Sequence, residues 1–220
     1  MLDVIKYLNM DPPSLDKLLD LGAVDSILDL LSHNRSDDNL LFGALEASSG
    51  LMSGQKGIEM VTKAGGRDLI FGIFKDDAEN LTPKTAEAAM VAPKKLAHLD
   101  MNSQKMVEDG VVDATMSTLE IQCEQNEETQ PKVVGVAAAL LQCVANDGAT
   151  VNQIVAKRTW KTLFKISSSS PDYLADPDCK QSFGNLIETC ANGDDLRGKI
   201  RELGAVDLVM MAMNLNPNKE

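Results

Sequence analysis

The chain has 220 residues, 44% of them hydrophobic, with 33 acidic and 21 basic side chains for a formal charge of −12. That is apolar material enough for a continuous core, and a charge balance that disfavours a phosphate backbone, which is held by Lys and Arg. Aromatics are only 4%, so Leu, Ala, Val and Met must fill the interior, and no apolar run approaches the roughly 18 residues that a bilayer span needs.

Residues 1–10 place Leu2, Ile5 and Leu8 on one stripe and read as the tail of a helix. Asp3, Lys6 and Tyr7 among them are wrong for a signal peptide. Asp11-Pro12-Pro13 breaks that helix and Ser14 can cap the next. The spacing then predicts a short helix over 15–21, a second over 24–32 and a longer third over 39–53, with Leu41, Ala44, Leu45, Leu51 and Met52 inward. The triplet returns at 56–64, 67–75 and 82–99, where Thr82-Pro83 makes a good helix start and Pro93 predicts a kink. It returns again at 102–109, 111–122 and 130–145, with an acidic loop around Glu124, Glu127 and Glu128. A fourth triplet covers 149–156, 158–167 and 178–191. Helices at 195–203 and 205–214 begin a fifth, before Pro217. No segment alternates with the period of two that a strand requires.

A glycine marks the turn from first to second helix. Gly22-Ala23-Val24-Asp25 recurs as Gly204-Ala205-Val206-Asp207, with variants Gly65-Gly66-Arg67-Asp68 and Gly110-Val111-Val112-Asp113. Corners at 22, 65 and 110, then 204, imply a copy near residue 157, where the apolar spacing is present without the glycine. A helical period of about 40–47 residues is that of armadillo or HEAT arrays. The expected fold is an all-α, right-handed α-solenoid in one domain over 1–220. Its repeats are approximately 11–54, 55–100, 101–147 and 148–193, with a partial one at 194–216 and residues 1–10 as the tail of a preceding helix.

The stretch Asn102-Ser103-Gln104-Lys105-Met106-Val107-Glu108-Asp109-Gly110-Val111-Val112 resembles the passage from first to second helix in the armadillo repeat family. Leu18 to Val24 and Ile200 to Val206 are similar to it. The resemblance spans nearly the whole chain. It implies third helices lining a concave groove that takes extended peptides. In import receptors of the family an Asn on each third helix clamps the ligand backbone, beside a Trp. The matching positions here are Lys6, Gly50, Lys95, Cys143 and Thr189, and the single Trp, Trp160, falls on a second helix. Import of nuclear-localisation cargo is therefore not expected.

The residues expected along the groove are Glu46, Lys95, Gln181 and Asn185. A second candidate is the one basic concentration, Lys157, Arg158, Trp160, Lys161 and Lys165, able to take an acidic segment or, by charge and stacking, nucleic acid. Lysines around one aromatic are more simply the wet side of a helix over a half-buried ring, and the net charge argues against nucleic acid. Acid pairs Asp37-Asp38, Asp76-Asp77 and Asp194-Asp195 sit where carboxylates favour helix N-termini over metal binding.

Cys123, Cys143, Cys179 and Cys190 have neither zinc nor redox spacing and read as free thiols of a reducing, cytoplasmic setting. His33 and His98 lie in no catalytic motif, and no phosphate-cradling or nucleophile motif occurs. The expectation is a non-catalytic scaffold or adaptor that needs no cofactor or metal and binds other proteins, not nucleic acid or membrane. The alternative is a structural element packed into a large, possibly cytoskeletal, assembly through its ends and convex side. Because no polar capping repeat is visible, end-to-end association or continuation of a longer solenoid is also expected.

Overall fold

Each glycine corner turns by one device. In the computed structural model, Gly22, Gly65, Gly110 and Gly204 have φ of 82°, 79°, 95° and 94°, the left-handed region that glycine enters without steric cost. The amide of each closes the preceding helix: Gly22 donates to the Leu19 carbonyl and Gly110 to that of Val107. The carbonyl of each accepts the first bond of the next helix, from Ser26, Leu69, Ala114 and Leu208 at 3.3, 3.3, 3.0 and 3.1 Å. One residue thus ends a helix and opens the next, which fixes the sharp angle between them.

The structure describes residues 12–125, 131–145, 148–156, 160, 162–163, 165–166, 175–192 and 194–214. The expected tail helix over 1–10 lies outside them. The first triplet is α1 (Pro12–Asp20), α2 (Ala23–His33) and α3 (Asp38–Leu51). The second is α4 (Gln55–Lys63), α5 (Gly66–Asp76) and α6 (Pro83–Leu96), with a 3-10 turn at Ala78–Asn80. The third is α7 (Asp100–Glu108), α8 (Val111–Gln125) and α9 (Pro131–Val144). The fourth holds α10 (Gly148–Ala156) and α11 (Pro177–Ala191), and the fifth α12 (Asp194–Glu202) and α13 (Ala205–Asn214). In the expected second helix of the fourth, Trp160, Leu163 and Ile166 are helical and buried. No described residue is in a strand.

The third helices start alike. Asp37 accepts from the amides of Asn39 and Leu40, both at 3.1 Å. Thr82 accepts from Thr85 and Asp176 from Cys179. Proline follows the cap at Pro83 and Pro177 and opens α9 at Pro131, where its missing N–H costs nothing. Asp37 therefore caps as expected. Asp77 instead pairs with Arg35 at 3.3 Å. Pro93 lies in the last turn of α6, which runs through it as one helix to Leu96.

Equivalent positions of neighbouring repeats are tied one period apart. Thr82 donates to the Asp38 carboxylate, 44 residues away, and Thr162 to Glu120 at 2.9 Å, 42 residues away. Lys56 of α4 bridges Asp16 and Asp20 of α1 at 3.2 and 2.9 Å. Asn102 is 3% exposed, and its side-chain amide donates to the Thr62 hydroxyl and the Leu96 carbonyl, both at 3.0 Å. This holds the start of α7 against the first helix and the third-helix end of the repeat before it. Asn102→Ala is expected to lose about 1–3 kcal/mol, since it removes both hydrogen bonds that the buried amide donates; urea denaturation measures it.

Contacts divide the chain into two compact units, residues 1–103 and 104–220, where the sequence reads as one array. In the first, α2 packs on α3 and α5 on α6, while α3 lies against α6. All five expected inward residues of α3 and its end, Leu41, Ala44, Leu45, Leu51 and Met52, are buried. In the second unit, α9 and α11 pack most closely, because Gly135 lets α11 approach. A Cβ there would stand 3.0 Å from the Cys179 Cα.

Candidate functional site

With their apolar sides spent on the core, the third helices keep one stripe in water. On α3 the stripe is Asn39, Phe42, Glu46 and Ser49, and on α6 it is Lys84, Glu87, Val91 and Lys94 with Lys95, all exposed or half-buried. The spacings are those of one helical face. The two stripes belong together: Lys84 Nζ stands 3.5 Å over the centre of the Phe42 ring, and the helix starts are joined by the Thr82–Asp38 bond. The cation on the ring contributes about 0.5–1 kcal/mol at such an exposed site. It also holds the first-turn lysine of α6 against α3.

In the second unit, α9 offers Lys132, Val136, Ala139, Gln142 and Cys143, and α11 offers Asp178, Gln181, Asn185 and Glu188. Gln181 and Asn185 are exposed one turn apart, so two amide side chains, each donor and acceptor, face solvent on one line. The Thr189 hydroxyl is turned onto the Asn185 backbone carbonyl at 2.8 Å. The four described positions that match the family's clamp, Gly50, Lys95, Cys143 and Thr189, are all half-buried. Each unit thus presents its predicted residues on packed third helices: Glu46 and Lys95 in the first, Gln181 and Asn185 in the second.

The basic patch fares differently. Lys157, Arg158 and Lys161 lie outside the described residues, and Lys165 is exposed. Trp160 is 0% exposed, among the most deeply buried side chains. This corrects the expectation of a half-buried ring in a partner-binding patch: the ring is core and offers no face for stacking. Its Nε1 and the Thr118 hydroxyl are buried without a hydrogen-bond partner among the described residues.

Burial pushes the Cys179 thiol up to about 12, with the Asp176 charge adding to the effect, and burial pushes Cys190 up to about 11. Both stay protonated near neutrality and act as small apolar side chains. Among the described residues no three His, Cys, Asp or Glu side chains gather into a metal site. No described helix is long and apolar enough to cross a membrane.

Phe42 and Lys84 were not singled out in the sequence. The signal was there, since Phe42 precedes Glu46 by one helical turn on the same stripe, but its pairing with Lys84 depends on how α3 and α6 stack.

The fold is that of an armadillo repeat protein. A designed armadillo repeat protein, solved in complex with the peptide (KR)4, matches with a TM-score of 0.76 at 16% identity, covering 100% of this chain and 85% of that one. No protein-family model matches the sequence, and no curated protein does. The chain is therefore an all-α solenoid of armadillo type.

Proposed function

We propose that this chain is a non-catalytic adaptor that holds an extended segment of a partner protein on its third-helix stripes. The observation that carries the reading is the repetition of polar, half-exposed side chains at matching positions of successive third helices, in a fold whose designed relative was solved with a peptide. The stripes mix signs. Glu46, Glu87, Asp178 and Glu188 stand with Lys84, Lys94, Lys95 and Lys132. They fit a polar segment of mixed charge better than the Lys-Arg repeat in the designed complex. Gln181 and Asn185 supply amides suited to a peptide backbone. Free, buried thiols at Cys179 and Cys190 favour a reducing, cytoplasmic setting.

Pull-down with the whole chain as bait tests this at moderate salt. The double variant Glu46→Lys with Lys95→Glu, and Asn185→Ala separately, are expected to retain at least tenfold less of the partner that the parent chain holds. Their unfolding midpoints should stay within experimental error of the parent, because these positions are not core. Full retention by both variants would sink the adaptor reading. It would leave the second one, a structural element of a larger assembly, which the exposed apolar side chains of α13 favour.

A further inference from the structure

Two of the three buried side-chain atoms that lack a hydrogen-bond partner among the described residues fall in one layer of the second unit: the Thr118 hydroxyl on α8 and the Trp160 indole Nε1 on the second-helix segment of the next repeat. Both residues are 0% exposed. The bond from Thr162 to Glu120, at 2.9 Å, makes the two elements neighbours. The second helices of the first unit are built otherwise. The side chains that α2 and α5 bury are all apolar, Ile27, Leu28 and Leu31 on one and Ile70, Ile73 and Phe74 on the other among them. Five and eight residues past the corner glycine stand Ile27 and Leu30 on α2, Ile70 and Ile73 on α5, but Thr115 and Thr118 on α8. Thr115 satisfies its hydroxyl on the Val111 carbonyl at 2.7 Å, within its own helix. Thr118 and Trp160 have no such outlet. A buried polar group without a partner forgoes, in the closed state, a hydrogen bond that water supplies in the open one.

The third-helix side of the same two repeats carries no such weakness. α9 and α11 pack directly, so closely that a Cβ at Gly135 would meet the Cys179 Cα at 3.0 Å. What α9 buries is apolar throughout, with Val134, Ala137, Ala138 and Leu141 among it. We infer that the third and fourth repeats form a hinge, with the α9–α11 contact as its pivot and the layer of α8 and the Trp160 segment as the side that opens. Opening gives the Thr118 hydroxyl and the indole N–H their hydrogen bonds from water, so this layer parts at a lower free energy than the pivot. The Thr162–Glu120 bond does not prevent it, because Glu120 is exposed and water takes the place of Thr162 at its carboxylate. The fourth repeat thus tilts against the third without leaving it. The hinge does not depend on what the third-helix stripes bind.

Hydrogen exchange of the 220-residue chain, read by mass spectrometry, tests the hinge. Peptides from α8 and the peptide containing Trp160 are expected to exchange together, about tenfold faster than those from α9 and α11. Thr118→Val keeps the shape of the side chain and removes the hydroxyl. It is expected to slow exchange in α8 and in the Trp160 peptide by about tenfold, the effect that a buried hydroxyl without a partner implies. Peptides from residues 12–96, in the other unit, should keep their rates. Thr115→Val is the control: it removes a hydroxyl that already has its partner, and it should not slow exchange. Exchange of α9 and α11 as fast as that of α8 overturns the hinge, because the pivot would then be no firmer than the side that opens. So does a Thr118→Val chain whose α8 and Trp160 peptides exchange at the parent rate or faster, or a Thr115→Val chain slowed as much as Thr118→Val.

Discussion

Gly57→Ala is expected to destabilise the chain by at least about 2 kcal/mol, in the upper part of the range for an overfilled core. A Cβ at Gly57 would stand 1.8 Å from the Leu51 carbonyl oxygen and 2.8 Å from its carbon. Both atoms are backbone, so no side-chain rotation relieves the overlap. Either α4 withdraws from the end of α3 or the third helix shifts. The comparison that gives the prediction its force is Gly65→Ala. Gly65 has φ of 79° and nothing within 4 Å of its would-be Cβ, so its cost is backbone strain alone, about 1–2 kcal/mol. Gly65→Asn should cost less than Gly65→Ala, because Asn tolerates the left-handed region. The same substitution at Gly57 should cost more than Ala does. Urea midpoints of the four variants give the order. If Gly65→Ala proved the more damaging of the two alanine changes, close packing between first and third helices would not be the constraint at Gly57.

These two glycines show what the sequence made legible. Gly65 announced itself by recurrence: the corners at 22, 65, 110 and 204 share a pattern, and all four take the left-handed conformation. Gly57 has no partner in phase, and nothing in its neighbours says that a carbonyl from another helix will arrive there. Helix boundaries were legible for the same reason as the corners, since caps and prolines act over a few residues. Thr82-Pro83 opens a helix whatever it packs against. The ties between repeats were not legible. That Thr82 reaches Asp38, or Asn102 reaches Thr62, follows from the register of stacked layers, which separates partners by 44 and 40 residues. The third-helix stripe was half legible. Helical spacing found Glu46, Lys95, Gln181 and Asn185, while the Lys84–Phe42 contact needed two helices side by side. On α13, the sequence showed an apolar second helix like the others. The structure shows which of its side chains are exposed: Val206, Val209, Met210 and Met213.

Trp160→Ala is expected to cost about 3–5 kcal/mol, the range for deleting a fully buried aromatic ring. Lysines around a tryptophan suggest a basic platform, yet the ring is 0% exposed and lies in the core with Leu163 and Ile166. Thr162, two residues on in the same segment, donates to Glu120 of α8 and holds that segment to the preceding repeat. Removing the ring leaves a cavity in the core. Trp160→Phe sharpens the test. It loses part of the buried area but also removes an indole N–H that has no partner among the described residues, a group whose burial costs about 1–3 kcal/mol. The two effects oppose, so Trp160→Phe should fall below about 2 kcal/mol while Trp160→Ala does not. Far-UV circular dichroism in urea follows both variants without the fluorophore. In the parent chain the single tryptophan should emit as a buried indole and shift to the red on unfolding. A ring that served as a stacking platform would give the opposite pattern: red-shifted emission in the folded state, and an alanine variant as stable as its parent.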